Sequence, residues 1–215
     1  AIIGLFGGNL MEWGQFIFGM ANFLMRLAGD PIQIHHFLDT LTAVHLDNLQ
    51  KFLSAVGPYI DIIMFGDDLG MQTGPQVSRR MFREFFYPRY KVMWEAAKQQ
   101  ADVKVMLHSC GSITSFMPDF IEAGLDIVQP VQTTAKDMDA ELLKREFGQD
   151  ICLWGGGCDT QTVLPRGTPA QVAEDVRRRV EILAPGGGFV FQQIHNIMAD
   201  VPPENIVAML DAVNA

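Results

Sequence analysis

VKVMLHSCGS, residues 103–112, decides how this chain is built. Val103, Val105, Met106 and Leu107 form an apolar run that ends abruptly in His108 and Cys110, and Gly111 and Ser112 then turn the chain. A short apolar run without polar alternation reads as a strand buried on both faces, as in parallel sheets covered by helices. His108 and Cys110 lie two positions apart, which on a strand means one face. Working outward, similar runs occur at AIIGLFG (1–7), IDIIMFG (60–66), LDIVQPV (125–131), ICLWGGG (151–157) and GFVFQQI (188–194).

Helical patterns fill the intervals. Residues 31–56 and 79–101 show helical periodicity, followed by ITSFMPDFIEAG (113–124), MDAELLKREFG (138–148) and TPAQVAEDVRRRVEILAPGGG (168–188). Ser78 and the pair Thr168-Pro169 are helix starts, and Gly148 and Gly186 are stops. This is a βα unit repeated about six times, so an α/β fold with a parallel sheet follows. The choice lies between a doubly wound sheet and a (β/α)8 TIM barrel. No GxGxxG opens a helix, which weakens the dinucleotide-binding version. Six units fall short of a closed barrel, so about two N-terminal βα units would be missing. The chain also starts without Met, inside an apolar strand. The expectation is one barrel domain over 1–215, the C-terminal part of a longer barrel.

Composition narrows the function. With 48% hydrophobic and 19% charged residues the chain reads as globular, and a formal charge of −9 argues against nucleic acid as a partner. Three cysteines in 215 residues do not make a disulfide framework, which favours a reducing cytoplasm. Residues 1–25 are mostly apolar, but Asn9, Glu12, Gln15 and Asn22 interrupt them and Gly7 and Gly8 break the run. A strand, a glycine turn and a core helix are expected there, not a membrane span.

In either architecture ligands bind at the C-terminal strand ends. Those ends carry Gly7, Gly8, Asn9, Met11 and Glu12; then Asp67, Asp68 and Gln72; then His108, Cys110 and Ser112; then Gln129 and Gln132; then Cys158, Asp159 and Gln161; and finally Gln192, Gln193, His195 and Asn196. Cys158 follows a glycine run that lets backbone approach a ligand. Across a gap of 47 residues from Cys110, it joins His108 and Cys110 as the expected metal set. One imidazole and two thiolates suit Zn²⁺ with a fourth position open. Blander readings stand beside this one. His108 or His195 could be a satisfied structural histidine, Asp67 and Asp68 could cap the next turn, and Cys152 reads as a small buried hydrophobe. His35, His36 and His45 lie in a helical stretch and read as surface or packing residues.

Several stretches together look familiar: IIGLFGGNLMEWGQFIFG, FGDDLGMQTGPQVSRRMFREFFYPRYK, HSCGSITSFMPDFIEAGLDIVQPVQ and LAPGGGFVFQQIHNIMADVPPENIVAML. The chain resembles the uroporphyrinogen decarboxylase superfamily of (β/α)8 barrels along essentially its whole length. One branch holds metal-free decarboxylases of tetrapyrrole biosynthesis, with an arginine-rich segment early in the barrel. The other holds zinc methyltransferases that move a methyl group between a corrinoid protein and a thiol such as coenzyme M, or serve related O-demethylation. His-x-Cys with a later Cys marks the second branch, and His108, Cys110 and Cys158 are similar to that pattern. The resemblance therefore implies a zinc-dependent, cytoplasmic methyltransferase. Its methylcobalamin would come on a partner corrinoid protein, and its small substrate would be a thiol or a methylated donor. Asp67 and His195 would join the catalytic group. Met11, Gln72, Gln129, Gln132 and Asn196 would contact substrate. A decarboxylase and a non-catalytic barrel fragment are the alternatives.

Overall fold

A computed structural model describes residues 1–214. The chain runs β1 (Ile3–Gly7), α1 (Met11–Phe18), α2 (Met20–Gly29), α3 (Pro31–Val56), β2 (Ile62–Gly66), a small hairpin of β3 (Gly70–Met71) and β4 (Gly74–Pro75), and α4 (Arg79–Met81). A π-helical turn at Phe82–Phe86 leads into α5 (Tyr87–Gln100) and β5 (Lys104–His108). Then come α6 (Met117–Glu122), β6 (Ile127–Gln129), α7 (Ala140–Phe147), β7 (Cys152–Trp154), α8 (Val163–Arg166), α9 (Pro169–Leu183), β8 (Phe189–Val190) and α10 (Pro203–Asn214).

All six expected strands form one parallel sheet, in the order β1-β2-β5-β6-β7-β8. Spatial order equals chain order, as in an arc of a (β/α)8 barrel and unlike a doubly wound sheet, whose order reverses. The outer face packs Ile63, Phe65, Val105, Leu107, Val128 and Leu153 against the helices in one large core. The inner face carries a smaller cluster of Ile62, Met106 and Ile127, with Ile3, Met64, Cys152 and Trp154 partly buried beside it. Leu5 shares that inner face by strand alternation and is 72% exposed. Strand register sets His108 between Gly66 and Gln129 on the same side.

Helix signals act as their chemistry dictates. Ser78 Oγ accepts from Met81 N at 3.2 Å, and Thr168 forms a full capping box with Gln171. Gly148 follows the last residue of α7. In contrast, α9 ends at Leu183, and Gly186, Gly187 and Gly188 all take positive φ in the turn to β8. The expected core helix after β1 is corrected in two respects. It breaks at Gly19 (φ 79), and it buries only one face, through Met11, Gly14, Phe23 and Leu27. A Cβ on Gly14 would lie 2.3 Å from the Phe23 ring, so the closeness of α1 and α2 needs glycine there. Trp13, Phe16, Ile17, Met20 and Met25 face outward. Among the described residues no helix is long and apolar enough to cross a membrane.

Candidate metal centre

The HSCGS turn is fixed by its backbone before any side chain acts. Ser109 N donates to Gln129 O (2.8 Å), Cys110 N to Asp68 Oδ1 (2.8 Å), Gly111 N to Gln132 Oε1 (2.7 Å) and Ser112 N to Met71 O (2.9 Å). The acceptors come from two segments, residues 68–71 and 129–132, so the turn is tied to the neighbouring strand ends on both sides. Gly111 has φ 84, and a Cβ there would meet Gly70 C at 2.4 Å. Only glycine allows the β3–β4 hairpin to pack so closely on this loop.

Three side chains converge above the turn. His108 Nε2 lies 3.6 Å from Cys110 Sγ. His195 arrives from the segment after β8, its ring centroid 6.2 Å from that of His108. One ligand atom from each of His108, Cys110 and His195 lies within 4.8 Å of the others. Two ligands of one tetrahedral zinc sit about 3.5 Å apart, given Zn–N and Zn–S bonds of about 2.0 and 2.3 Å, so the His108–Cys110 pair already has the right spacing. Two imidazoles and a thiol suit Zn²⁺, and three protein ligands leave a fourth position open. Burial, then Asp68 and Glu12, push the Cys110 thiol up to about 12. An uncomplexed thiol there stays protonated at neutral pH, and binding a metal cation favours its thiolate.

A cavity of about 260 Å³ opens beside His108, lined by Leu5, Asn9, Glu12, Met64 and Asp68 among others. Glu12 Oε2 accepts from Asn9 Nδ2 (2.5 Å) and from Asp68 N (3.3 Å). The carboxylates of Glu12 and Asp68 thus sit at the mouth of the candidate centre.

A family profile described as Uroporphyrinogen decarboxylase (URO-D) matches residues 2–215. The chain belongs to the URO-D family. Its fold is also that of a solved methyltransferase from Methanosarcina mazei, at a TM-score of 0.76 and 17% sequence identity. The match covers 99% of this chain and 58% of the other, so this URO-D chain spans less than two thirds of that protein's length. No curated protein sequence matches it significantly.

Within this URO-D fold several expected site residues fall elsewhere. Cys158 does not reach His108 and Cys110. It is fully buried in a second core with Leu164, Val172, Val176 and Met209. Burial, with Asp175 and Asp159 nearby, pushes its thiol up to about 12. The cause lies just upstream, where Gly155 (φ 95) and Gly156 (φ 78) leave the extended conformation. Strand alternation lapses there, and the side chain turns outward toward α8, α9 and α10. Its backbone serves the site instead, since Cys158 O accepts from Ile194 N at 3.1 Å, next to His195.

Asp67 is also buried away from the cavity. Its carboxylate accepts from Leu10 N (2.7 Å), Met11 N (2.7 Å), Glu12 N (2.9 Å) and the Tyr90 hydroxyl. It caps α1 from a distant strand and so positions Glu12. Burial pushes it up to about 7, against the opposing pull of those donors. Met11 is buried in the main core and does not line the cavity. Gln72 and Gln132 bond to each other (3.0 Å), and Gln132 holds Gly111 N, so both brace the loop. Gln129 bonds to His108, and Asn196 lies exposed beside His195. His45 is a packing residue, with Nε2 2.9 Å from Asn9 O and its pKa lowered by burial. Glu12 and Asp68 line the cavity, although the sequence reading places only Asp67 of the three acids in the catalytic group. The available signal was that adjacent Asp67 and Asp68 cannot both face the same side.

Proposed function

We propose that this chain carries the metal centre of a zinc-dependent methyltransferase that moves a methyl group between a corrinoid protein and a small thiol or methylated donor. The observation that carries the reading is the convergence of His108, Cys110 and His195 at the strand ends where barrel enzymes work. These three residues would hold the ion. Zinc would supply Lewis acidity that favours a thiolate at neutral pH or stabilises a leaving group. Around it, Gln129 orients His108, Asp68 and Gln132 hold the Cys110–Gly111 backbone, and the apolar side chains of Leu5 and Met64 line the adjacent cavity. Methylcobalamin would arrive on the partner corrinoid protein, in a cytoplasm that keeps Cys110 reduced.

Porphyrinogen decarboxylation is the weaker reading. Asp68 and Glu12 at the cavity repel a polycarboxylate substrate, and among the described residues no Lys or Arg lines that cavity. The test is to mix the zinc-loaded chain with a methylated corrinoid protein and a small thiol and follow the corrinoid spectrum. Zinc-dependent demethylation of the corrinoid is expected. Turnover of a porphyrinogen without metal, and no methyl transfer, would overturn the reading.

A further inference from the structure

We propose that Gln129 is a positioning residue that, held by Gln192, keeps His108 in the tautomer presenting Nε2 to the ion. The inference rests on His108 being a metal ligand. β6 places Gln129 beside His108 in register. Gln129 Oε1 lies 2.5 Å from His108 Nδ1, and Gln129 Nε2 donates to Gln192 Oε1 at 3.0 Å. An amide oxygen only accepts, so Nδ1 carries the proton. The lone pair of Nε2 then faces Cys110 Sγ, 3.6 Å away. A free imidazole in water favours the opposite tautomer, which would aim a proton at the metal position.

Reaching Gln192 from β6 requires passing the end of β7. That end is the glycine run 155–157, which puts no side chain in the way. A Cβ on Gly157 would lie 2.4 Å from the Phe191 ring and 3.0 Å from Gln192 O. Gln192 is fixed in turn, because its carbonyl accepts from Gly157 N at 2.9 Å. It lies three residues before His195, so the relay runs from one candidate ligand toward the strand end that supplies another. Metal-bound histidines commonly give their second N–H to a carboxylate or carbonyl, which fixes the ring and tunes its basicity. Here the acceptor is a neutral amide. It adds no charge to a mouth that already holds Glu12 and Asp68.

The experiment compares the parent, Gln129→Leu and Gln129→Glu, with unchanged circular dichroism as the folding control. Long-range ¹H–¹⁵N spectra of histidine-labelled, metal-free protein at pH 8 read the His108 tautomer. Zinc Kd is measured by competition with a chelator. The parent should show Nδ1–H. Gln129→Leu should shift His108 toward Nε2–H and weaken zinc binding about 10- to 100-fold, and Gln129→Glu, which keeps an acceptor, should restore both. An Nε2–H parent, or a Gln129→Leu protein with the parent's tautomer and zinc Kd, would overturn the proposal. A parent with Nδ1–H and no zinc affinity would instead overturn the metal reading, leaving Gln129 as the group that sets the ring.

Discussion

The ends of β5 and β7 look alike as sequence and behave differently as structure. Each follows an apolar run with glycine and a cysteine. At β5 the chain stays extended through His108, and the amides from Ser109 to Ser112 are all held. Alternation therefore survives, and His108 and Cys110 emerge on the cavity side. At β7 two positive-φ glycines interrupt the strand, and Cys158 enters a separate core. The end of β2 repeats the lesson over one peptide. Asp67 points into the core as a cap, and Asp68 points at the cavity and holds Cys110 N.

The contrast can be broken most severely at Gly111. Gly111→Ala adds a Cβ 2.4 Å from Gly70 C at φ 84, so it should cost about 2–4 kcal/mol in urea unfolding and release the hairpin. Asp67→Asn should cost about 1–3 kcal/mol, because its amide NH2 would face backbone N–H donors that now bond to carboxyl oxygens. It should also change the pH profile. The folded-state pKa of Asp67, about 7, lies above its ordinary 3.8, so the folded protein holds this proton more tightly than the unfolded chain. That contribution is complete below 3.8, shrinks as pH rises and is gone above about 7. Urea unfolding between pH 4 and 8 should show a downward slope in the parent that Asp67→Asn lacks.

Gly156→Ala should be milder than Gly111→Ala. Its Cβ would meet Val131 O at 3.0 Å and its φ is 78, for about 1–2 kcal/mol. An equal or larger cost would mean the β7 end is as rigid as the β5 turn. The smallest effect belongs to Cys158→Ala, which removes one buried sulfur for about 1 kcal/mol and leaves the cavity untouched. Thermal unfolding would detect it.

Most of the fold was legible because buried parallel strands and capped helices announce themselves locally. Residues 103–109 needed only their lack of alternation, and Thr168-Pro169 only its capping chemistry. The candidate site was legible as far as strand geometry extends, which puts His108, Cys110 and Gln129 together at neighbouring strand ends, while the bond from Gln129 to His108 in place of a substrate contact was not legible. Beyond the strands, direction depends on backbone φ that residue names do not specify. That is why spacing along the chain points to Cys158 and not His195 as a ligand, and to Asp67 and not Asp68 at the cavity. The exposed face of α1 and α2 was hidden for a related reason. An apolar segment shows that burial is favourable, and only the packed fold shows which face receives it.

The most direct test is zinc content by mass spectrometry in the parent, His195→Ala and Cys158→Ala, each purified without chelators. About one zinc per chain is expected in the parent and in Cys158→Ala, and near none in His195→Ala. Zinc lost from Cys158→Ala and retained by His195→Ala would contradict that expectation and make Cys158 the third ligand.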